Sequence, residues 1–332
     1  MSTTKSELMS RASLAIVSAS NVVASLVEDL ERIRTITKDD RSPVTVADFA
    51  AQAVVGLMLR GSGVDDMVGE EDASRLREDE PVRNEVVSAV HRALPDATAD
   101  DVIEAIDGGD HAGGPEGAFW TLDPIDGTKG FLRGGQFALA LALIDNGTVE
   151  LGLMGCPHWG VTSDPSGASV QRPGSICAAV RGEGARAWVI GSEPDTAVDL
   201  KVSEWNEGDP IRTCESVESA HTSHDASARI VEIFSGHEAV RLDSQAKYAV
   251  VASGAADAYL RLPTRPGYVE RIWDHAAGSL VATEAGAVVT DITGNPLDFS
   301  RGRGLEENRG VVCATSGVHA RLIDRIKEID LA

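Results

Sequence analysis

The sequence is poor in cysteine, and the few cysteines it has lie far apart. Its 332 residues include four cysteines, and none of them belongs to a Cys-x-x-Cys pair. This spacing argues against a disulfide framework and against a cysteine-bound zinc cluster. We therefore expect free thiols and a reducing, cytoplasmic location.

Long apolar runs and a leader-like N-terminus are also missing. No apolar run approaches the roughly 20 residues that cross a bilayer. Residues 1–7 carry an acidic side chain, Glu7, and lack the apolar stretch of a secretory signal. These features predict a globular protein without a membrane-spanning segment.

Basic residues are outnumbered by acidic ones. The 52 acidic and 30 basic residues give a formal net charge of −22, and such a chain repels nucleic-acid polymers. The excess is typical of a solvated surface, but it also fits carboxylates that converge on divalent cations. Composition does not separate these two interpretations, whereas spacing does.

Local patterns predict a mixed α/β fold of layered sheets and helices. Thr4-x-x-Glu7 is a capping box that opens an amphipathic helix, and a second helix is expected over residues 45–59. Residues 119–122 form an apolar strand, and Asp145-Asn146-Gly147 joins two apolar runs as a hairpin turn. Helices and strands alternate after about residue 212.

Acidic residues fall at the ends of several predicted elements. Asp48 and Asp274 lie at predicted helix starts, Glu70 follows a short apolar segment, and Asp123 and Asp126 follow a buried strand. Each has an ordinary explanation, since helix N-termini favour anions and Asp-Pro and Asp-Gly favour turns. Acidic groups beside a sheet core must nevertheless be paired or bind cations.

All these candidate ligands offer oxygen, which selects Mg²⁺, Mn²⁺ or Ca²⁺ over Zn²⁺. His221 and His224 could suggest zinc, but neither a cysteine nor a third histidine stands near them at metal-site spacing. We therefore expect hard cations.

Four segments, in this order along the chain, resemble the motifs of the inositol-monophosphatase superfamily. They are Ser42-Pro43-Val44-Thr45-Val46-Ala47-Asp48, Gly69-Glu70-Glu71-Asp72, Asp123-Pro124-Ile125-Asp126-Gly127-Thr128 and Trp273-Asp274-His275-Ala276-Ala277-Gly278. The resemblance implies the sugar-phosphatase fold, an αβαβα five-layer sandwich. It implies an N-terminal metal-binding half over 1–165, a C-terminal half over 166–332, and an active site between them.

Longer segments resemble the bisphosphate nucleotidases of yeast and plants within that superfamily. They cover residues 120–137, 216–224, 243–248 and 259–263. The resemblance implies that His221, Ser244, Lys247 and Arg261 contact the nucleotide. A helix opening at Ser244 would offer N–H groups to a phosphate, and Arg261 could grip one with its fork. The Gly135 position and residues 113–118 depart from the relatives' pattern.

The resemblance also implies roles for the acidic residues. One Mg²⁺ would be held by Glu70, Asp123 and the Ile125 carbonyl, and a second by Asp123, Asp126 and Asp274. Asp48 and Thr128 would orient and deprotonate the attacking water, and Thr128 would also contact the substrate. A third, weaker Mg²⁺ and inhibition by Li⁺ are implied as well.

The expected reaction is removal of the 3′-phosphate of adenosine 3′,5′-bisphosphate (PAP), with 3′-phosphoadenosine-5′-phosphosulfate (PAPS) as a further substrate, in sulfate assimilation and salt tolerance. An Arg-His-Gly motif, a Cys-x₅-Arg loop and a Walker loop are all missing from the sequence, so no phosphoenzyme is expected. The alternatives are an inositol phosphatase or a non-catalytic nucleotide or cation sensor. We expect a monomer whose partner is the small nucleotide.

Overall fold

The computed structural model describes residues 3–27, 35–37, 43–161, 174–217, 224–263, 265 and 267–331. Its helices are α1 (Lys5–Val27), α2 (Val46–Leu59), α3 (Ser74–Glu78), α4 (Glu80–Val90), α5 (Ala99–Asp107), α6 (Thr128–Leu132), α7 (His224–Val231), α8 (Ala246–Ala252), α9 (Ala276–Glu284) and α10 (Ser316–Glu328). Short 3₁₀ turns cover Pro194–Thr196 and Ile272–Asp274.

The strands form a small hairpin and two larger sheets. They are β1 (Thr35–Thr37), β2 (Pro43–Thr45), β3 (Met67–Gly69), β4 (Ala118–Asp126), β5 (Ala138–Asp145), β6 (Thr148–Cys156), β7 (Ser175–Val180), β8 (Gly184–Val189), β9 (Val198–Asp199), β10 (Ile211–Glu215), β11 (His237–Arg241), β12 (Ala258–Arg261), β13 (Ala287–Thr290) and β14 (Val311–Thr315). The first large sheet has the order β3-β4-β5-β6-β7-β8-β9, and the second has the order β11-β10-β12-β14-β13.

Helices and sheets alternate in five layers, which confirms the predicted αβαβα sandwich. Helices α1 and α2 cover one face of the first sheet, with α4 and α5 packed against α2, and α8 and α9 lie between the two sheets. Helices α7 and α10 cover the outer face of the second sheet. Three apolar clusters fill the spaces between these layers. Strands β7 to β9 extend the first sheet, so this sheet includes strands on both sides of residue 165.

The first helix begins as its sequence predicts. The Thr4 N–H donates to Glu7 Oε2 at 2.8 Å, and the Glu7 N–H donates to Thr4 Oγ1 at 3.2 Å, which completes the capping box. By length and composition α1 could cross a membrane, contrary to the prediction from sequence, but half of its most apolar stretch is buried in the fold. That buried side packs against α2 and β6, as in a core helix.

The predicted hairpin at Asp145-Asn146-Gly147 forms. Asn146 and Gly147 join β5 to β6 with φ values of 49° and 74°. Two successive positive φ angles are those of a type I′ turn, whose twist matches that of the strands.

In the middle helical layer, a glycine of α9 lies against an aromatic ring of α8. A β-carbon placed on Gly278 of α9 would lie 2.2 Å from Tyr248 Cδ2 of α8. Tyr248 is fully buried and meets the Tyr259 ring edge to face, with centroids 5.0 Å apart. Helices α8 and α9 therefore approach closely between the sheets.

Candidate active site

The acidic loop begins inside a strand. Strand β4 runs through Asp126, further than the sequence predicted, and its pairing with β5 shifts register between Asp123 and Asp126. Pro124 lacks an N–H for the ladder, and such an irregularity re-aims the side chains beside it. The Ile125 N–H donates to Asp123 Oδ1 at 3.1 Å, and this contact fixes that carboxylate.

Gly127 turns the chain from β4 into α6. Its φ of 86° lies in the left-handed region that favours glycine. Helix α6 begins at Thr128, whose hydroxyl donates to the Ile125 carbonyl at 3.1 Å. The carbonyl and the hydroxyl predicted to act in the site are therefore in contact.

The five predicted acidic residues converge. Burial raises the pKa of Asp123 well above its usual value, and the charges of Glu70, Asp126, Asp274 and Asp48 raise it further. These residues come from β4, from α2, from the segment after β3, and from the turn before α9. The convergence that the sequence predicted is present, while the roles of these residues as metal ligands stay predictions.

Two cationic side chains border this cluster. Burial raises the pKa of Asp126, and the positive charges of Lys247 and Arg261 oppose that rise. Burial also raises the pKa of Asp274 well above its usual value, again against the charge of Arg261. Lys247 is 4% exposed, and burial lowers the pKa of its amine while Asp126 opposes the change. The basic side chains of Lys247 and Arg261 therefore lie close to the carboxylates of Asp126 and Asp274.

The sequence predicted that Asp274 lies at the start of a helix, but the structure places it before the helix. It ends the 3₁₀ turn Ile272–Asp274, and α9 begins at Ala276. The buried Gln245 side chain supports this turn, since its amide donates to the Trp273 carbonyl at 2.8 Å and accepts from the Gly278 N–H at 3.1 Å.

The predicted phosphate site at the start of a helix from Ser244 is wrong in its local geometry. Helix α8 begins two residues later, at Ala246, and Ser244 has a strained φ of 75°. The Gln245 N–H donates to Asp126 Oδ2, and the Ala246 N–H donates to Ser244 Oγ at 3.2 Å. Because these two N–H groups already donate to protein oxygens, they are not the free donors to a phosphate that the sequence predicted at this helix start.

Arg261 lies at the end of β12, as predicted, and its described partners are two carboxylates and the side chains of Tyr259 and Tyr268. Its Nη2 lies 2.7 Å from Glu270 Oε2 and 3.3 Å from Asp274 Oδ2. Burial alone would raise the pKa of Glu270, but the charge of Arg261 and the hydrogen bond from His275 outweigh it and lower that pKa to about 2. His275 Nδ1 in turn lies 2.8 Å from the Tyr248 hydroxyl.

Glu270, Asp274 and His275 bring their ligand atoms within 4.8 Å of one another, which is close enough for a metal. Glu270 is already bound to Arg261, and His275 bridges Tyr248 and Glu270. We interpret this group as an ion-pair network that fixes Arg261.

Three supporting residues were missed by sequence reasoning: Gln52, Gln245 and Glu270. Gln52 is the one strongly polar side chain after Asp48 in the apolar stretch of α2, which was the only signal in the sequence. The predicted substrate residue His221 lies outside the described residues.

The donor set fits hard cations. Five carboxylates and the Ile125 carbonyl supply only oxygen. Burial and, after it, repulsion from the other four carboxylates raise the pKa of Asp123. A cation between these side chains would relieve that repulsion.

The chain is similar to a known protein family over most of its length. A model of the inositol monophosphatase family matches residues 40–331. The 3′(2′),5′-bisphosphate nucleotidase 2 of Candida albicans is 37% identical, with 96% of each chain covered. The 3′(2′),5′-bisphosphate nucleotidase of Emericella nidulans is 41% identical over 89% of this chain and 90% of the relative.

Solved structures show the same fold. The inositol monophosphatase from Anabaena superposes with a TM-score of 0.60 at 18% identity, covering 97% of this chain and 95% of that one. CysQ from Bacteroides thetaiotaomicron gives a TM-score of 0.59 at 20% identity, covering 92% of this chain and 96% of that one.

Proposed function

The chain belongs to the inositol monophosphatase family, and from this premise we propose that it is a Mg²⁺-dependent phosphatase that converts adenosine 3′,5′-bisphosphate to AMP and phosphate. The observation that carries the proposal is the cluster of five carboxylates around the buried Asp123, next to Lys247 and Arg261. Relatives 37% to 41% identical over most of the chain are named 3′(2′),5′-bisphosphate nucleotidases, which supports the choice of substrate.

The residues that would hold Mg²⁺ are those predicted from the sequence. Glu70, Asp123 and the Ile125 carbonyl would form one site, and Asp126 and Asp274 would join Asp123 in a second. Bound there, Mg²⁺ supplies a water of lowered pKa and neutralises charge on the leaving oxygen.

Asp48 and Thr128 would act on the water. The Thr128 hydroxyl donates its hydrogen to the Ile125 carbonyl. The lone pairs of the hydroxyl oxygen would then accept a hydrogen bond from a water and orient it. A threonine hydroxyl is a weak base, so the proton passes to Asp48, which is 1% exposed. No covalent intermediate on the protein is needed.

Lys247 and Arg261 would bind the phosphate groups. The Lys247 Nζ lies 5.2 Å from the centre of the Tyr259 ring and 3.4 Å from the Leu242 carbonyl. Held by this buried environment, its charge is confined beside Asp126. Glu270 and Asp274 hold Arg261 in the same region, where it would face a substrate anion. His221 is proposed as a further contact from the family resemblance alone.

The deciding experiment measures phosphate release from the nucleotide with Mg²⁺, with chelator, and with Mg²⁺ plus Li⁺. We expect release that needs Mg²⁺ and falls with Li⁺. PAPS should also be a substrate, and a cytoplasmic role in sulfate assimilation and salt tolerance is proposed with it.

Inositol 1,4-bisphosphate and inositol monophosphate are assayed in parallel. Faster release from either would replace the nucleotide with an inositol phosphate as the substrate. Tight nucleotide binding without release would instead support a sensor.

A further inference from the structure

Arg303 reaches from a C-terminal loop into the seam beside β3. Its guanidinium donates to the carbonyls of Gly109 at 3.2 Å, His111 at 3.1 Å and Gly69 at 2.5 Å. Residues 109–111 run along the outer edge of β3, where the Gly69 N–H donates to the Gly109 carbonyl at 2.9 Å. One side chain therefore ties the end of β3 to the segment beside it.

The same guanidinium lies over the Trp273 ring, 5.0 Å from its centre. The backbone strengthens this contact, because the Ile272 N–H donates to the Arg303 carbonyl at 3.2 Å and Arg271 forms a bridge with Gly304. Trp273 is 8% exposed, so the stack is largely shielded from water.

These contacts join two backbone positions that precede the acidic cluster. Gly69 comes immediately before Glu70, and Trp273 comes immediately before Asp274. In the described part of the chain, the hydrogen bonds of Arg303 all go to backbone carbonyls. The charges of Asp110 and Arg271 also act on this half-buried guanidinium, in opposite directions. Its directed contacts, to carbonyls and an aromatic face, fix geometry, since guanidinium donors are planar and rigid.

We propose that Arg303 is a positioning residue that sets the spacing between Glu70 and Asp274 and thereby the affinity of the acidic cluster for divalent cations. The inference rests on the proposed function, because it takes these two carboxylates as cation ligands. Supporting residues around ligands commonly change metal affinity by about 10–100-fold when they are replaced.

The test compares Arg303→Lys with Arg301→Lys. Arg303→Lys keeps the charge but loses the planar fork and the stack. Arg301 stands in the same loop, is exposed and pairs with Asp298 at 2.9 Å, so its replacement is a matched control. Calorimetric titration with Mg²⁺ alone measures cation affinity without any substrate. We expect about tenfold weaker binding in Arg303→Lys and a change of less than about twofold in Arg301→Lys.

Kinetics separate positioning from a general loss of structure. In Arg303→Lys the half-saturating Mg²⁺ concentration should rise about tenfold, while KM for the nucleotide at saturating Mg²⁺ stays within about twofold. Arg303→Gln, which keeps amide donors but not the charge, gives a second variant and should lose at least as much affinity. Urea unfolding in chelator identifies a variant that is merely unstable.

Unchanged Mg²⁺ affinity in both Arg303 variants would overturn the inference. If the unmodified protein bound Mg²⁺ but released no phosphate from the nucleotide, the proposed function would fail. Calorimetry would still decide the role of Arg303 in that case.

Discussion

The Gln52 side chain forms hydrogen bonds with both the backbone carbonyl and the backbone N–H of Glu71. Gln52 Nε2 donates to the Glu71 carbonyl at 2.7 Å, and Gln52 Oε1 accepts from the Glu71 N–H at 3.0 Å. The same amide donates to the Ile106 carbonyl at 3.0 Å. Because Gln52 lies one helical turn after Asp48, this pair fixes the helix of one acidic residue against the segment that carries Glu70.

Replacing Gln52 with Leu should loosen that link. The variant leaves buried backbone groups of Glu71 and Ile106 without partners, which costs about 1–3 kcal/mol in the free energy of unfolding. Urea unfolding in chelator measures this loss, and Mg²⁺ titration should show weaker binding. Arg60→Gln, at the exposed end of the same helix region, is the control. Equal stability of the two variants would contradict the structural role.

Replacing Asp126 with Asn should lower the rate of phosphate release at least about 10²-fold, by loss of a charge that acts on the cations. The amide oxygen of Asn can still accept from the Gln245 N–H, so the fold should be retained. Initial rates at saturating Mg²⁺ provide the measurement. Asp145→Asn, in the exposed hairpin, is the control. A near-normal rate in Asp126→Asn would exclude a role for this residue in catalysis.

Stabilisation by Mg²⁺ should depend on pH. Burial and neighbouring carboxylates raise the pKa of Asp123, so without cations the folded state binds more protons than the unfolded chain. The contribution of Asp123 to the free energy of unfolding is therefore full below about pH 3.8 and is lost as the pH rises through the raised pKa. Protons compete with Mg²⁺, so the Mg²⁺-induced rise in Tm should be larger at about pH 8 than at about pH 5.5. Equal rises at both pH values would argue against carboxylates as the ligands.

Replacing Lys247 with Gln should weaken nucleotide binding. The variant loses a buried positive charge, and we expect KM for adenosine 3′,5′-bisphosphate to rise about tenfold. Steady-state kinetics measure it, with Lys201→Gln as the control because Lys201 is exposed and pairs with nearby Glu204 at 3.4 Å. An unchanged KM in Lys247→Gln would remove this residue from the substrate site.

Local patterns predicted much of the fold because their physical causes lie within a few residues. The capping box at Thr4 and Glu7 and the Asn146-Gly147 turn depend on neighbours in sequence, and both formed as expected. The end of β4 was predicted too early, since the turn tendency of Asp123 and Pro124 gave way to pairing with β5.

The family motifs predicted which carboxylates meet, whereas the contacts that support them were not visible in the sequence. Arg303 and Gly69 are 234 positions apart, and neither residue type indicates the other. The α8 donors were misjudged for a similar reason, because the partner of the Gln245 N–H is Asp126, a residue of a distant strand.

The close contact of Gly278 with Tyr248 makes the spacing of α8 and α9 depend on the absence of a β-carbon at position 278. Any side chain at position 278 would overlap the Tyr248 ring and push α9 away from α8. Helix α8 begins directly after Gln245, whose N–H contacts Asp126, and α9 begins two residues after Asp274. The packing of Gly278 against Tyr248 thus bears on the positions of Asp126 and Asp274, although neither residue of that contact belongs to the acidic cluster.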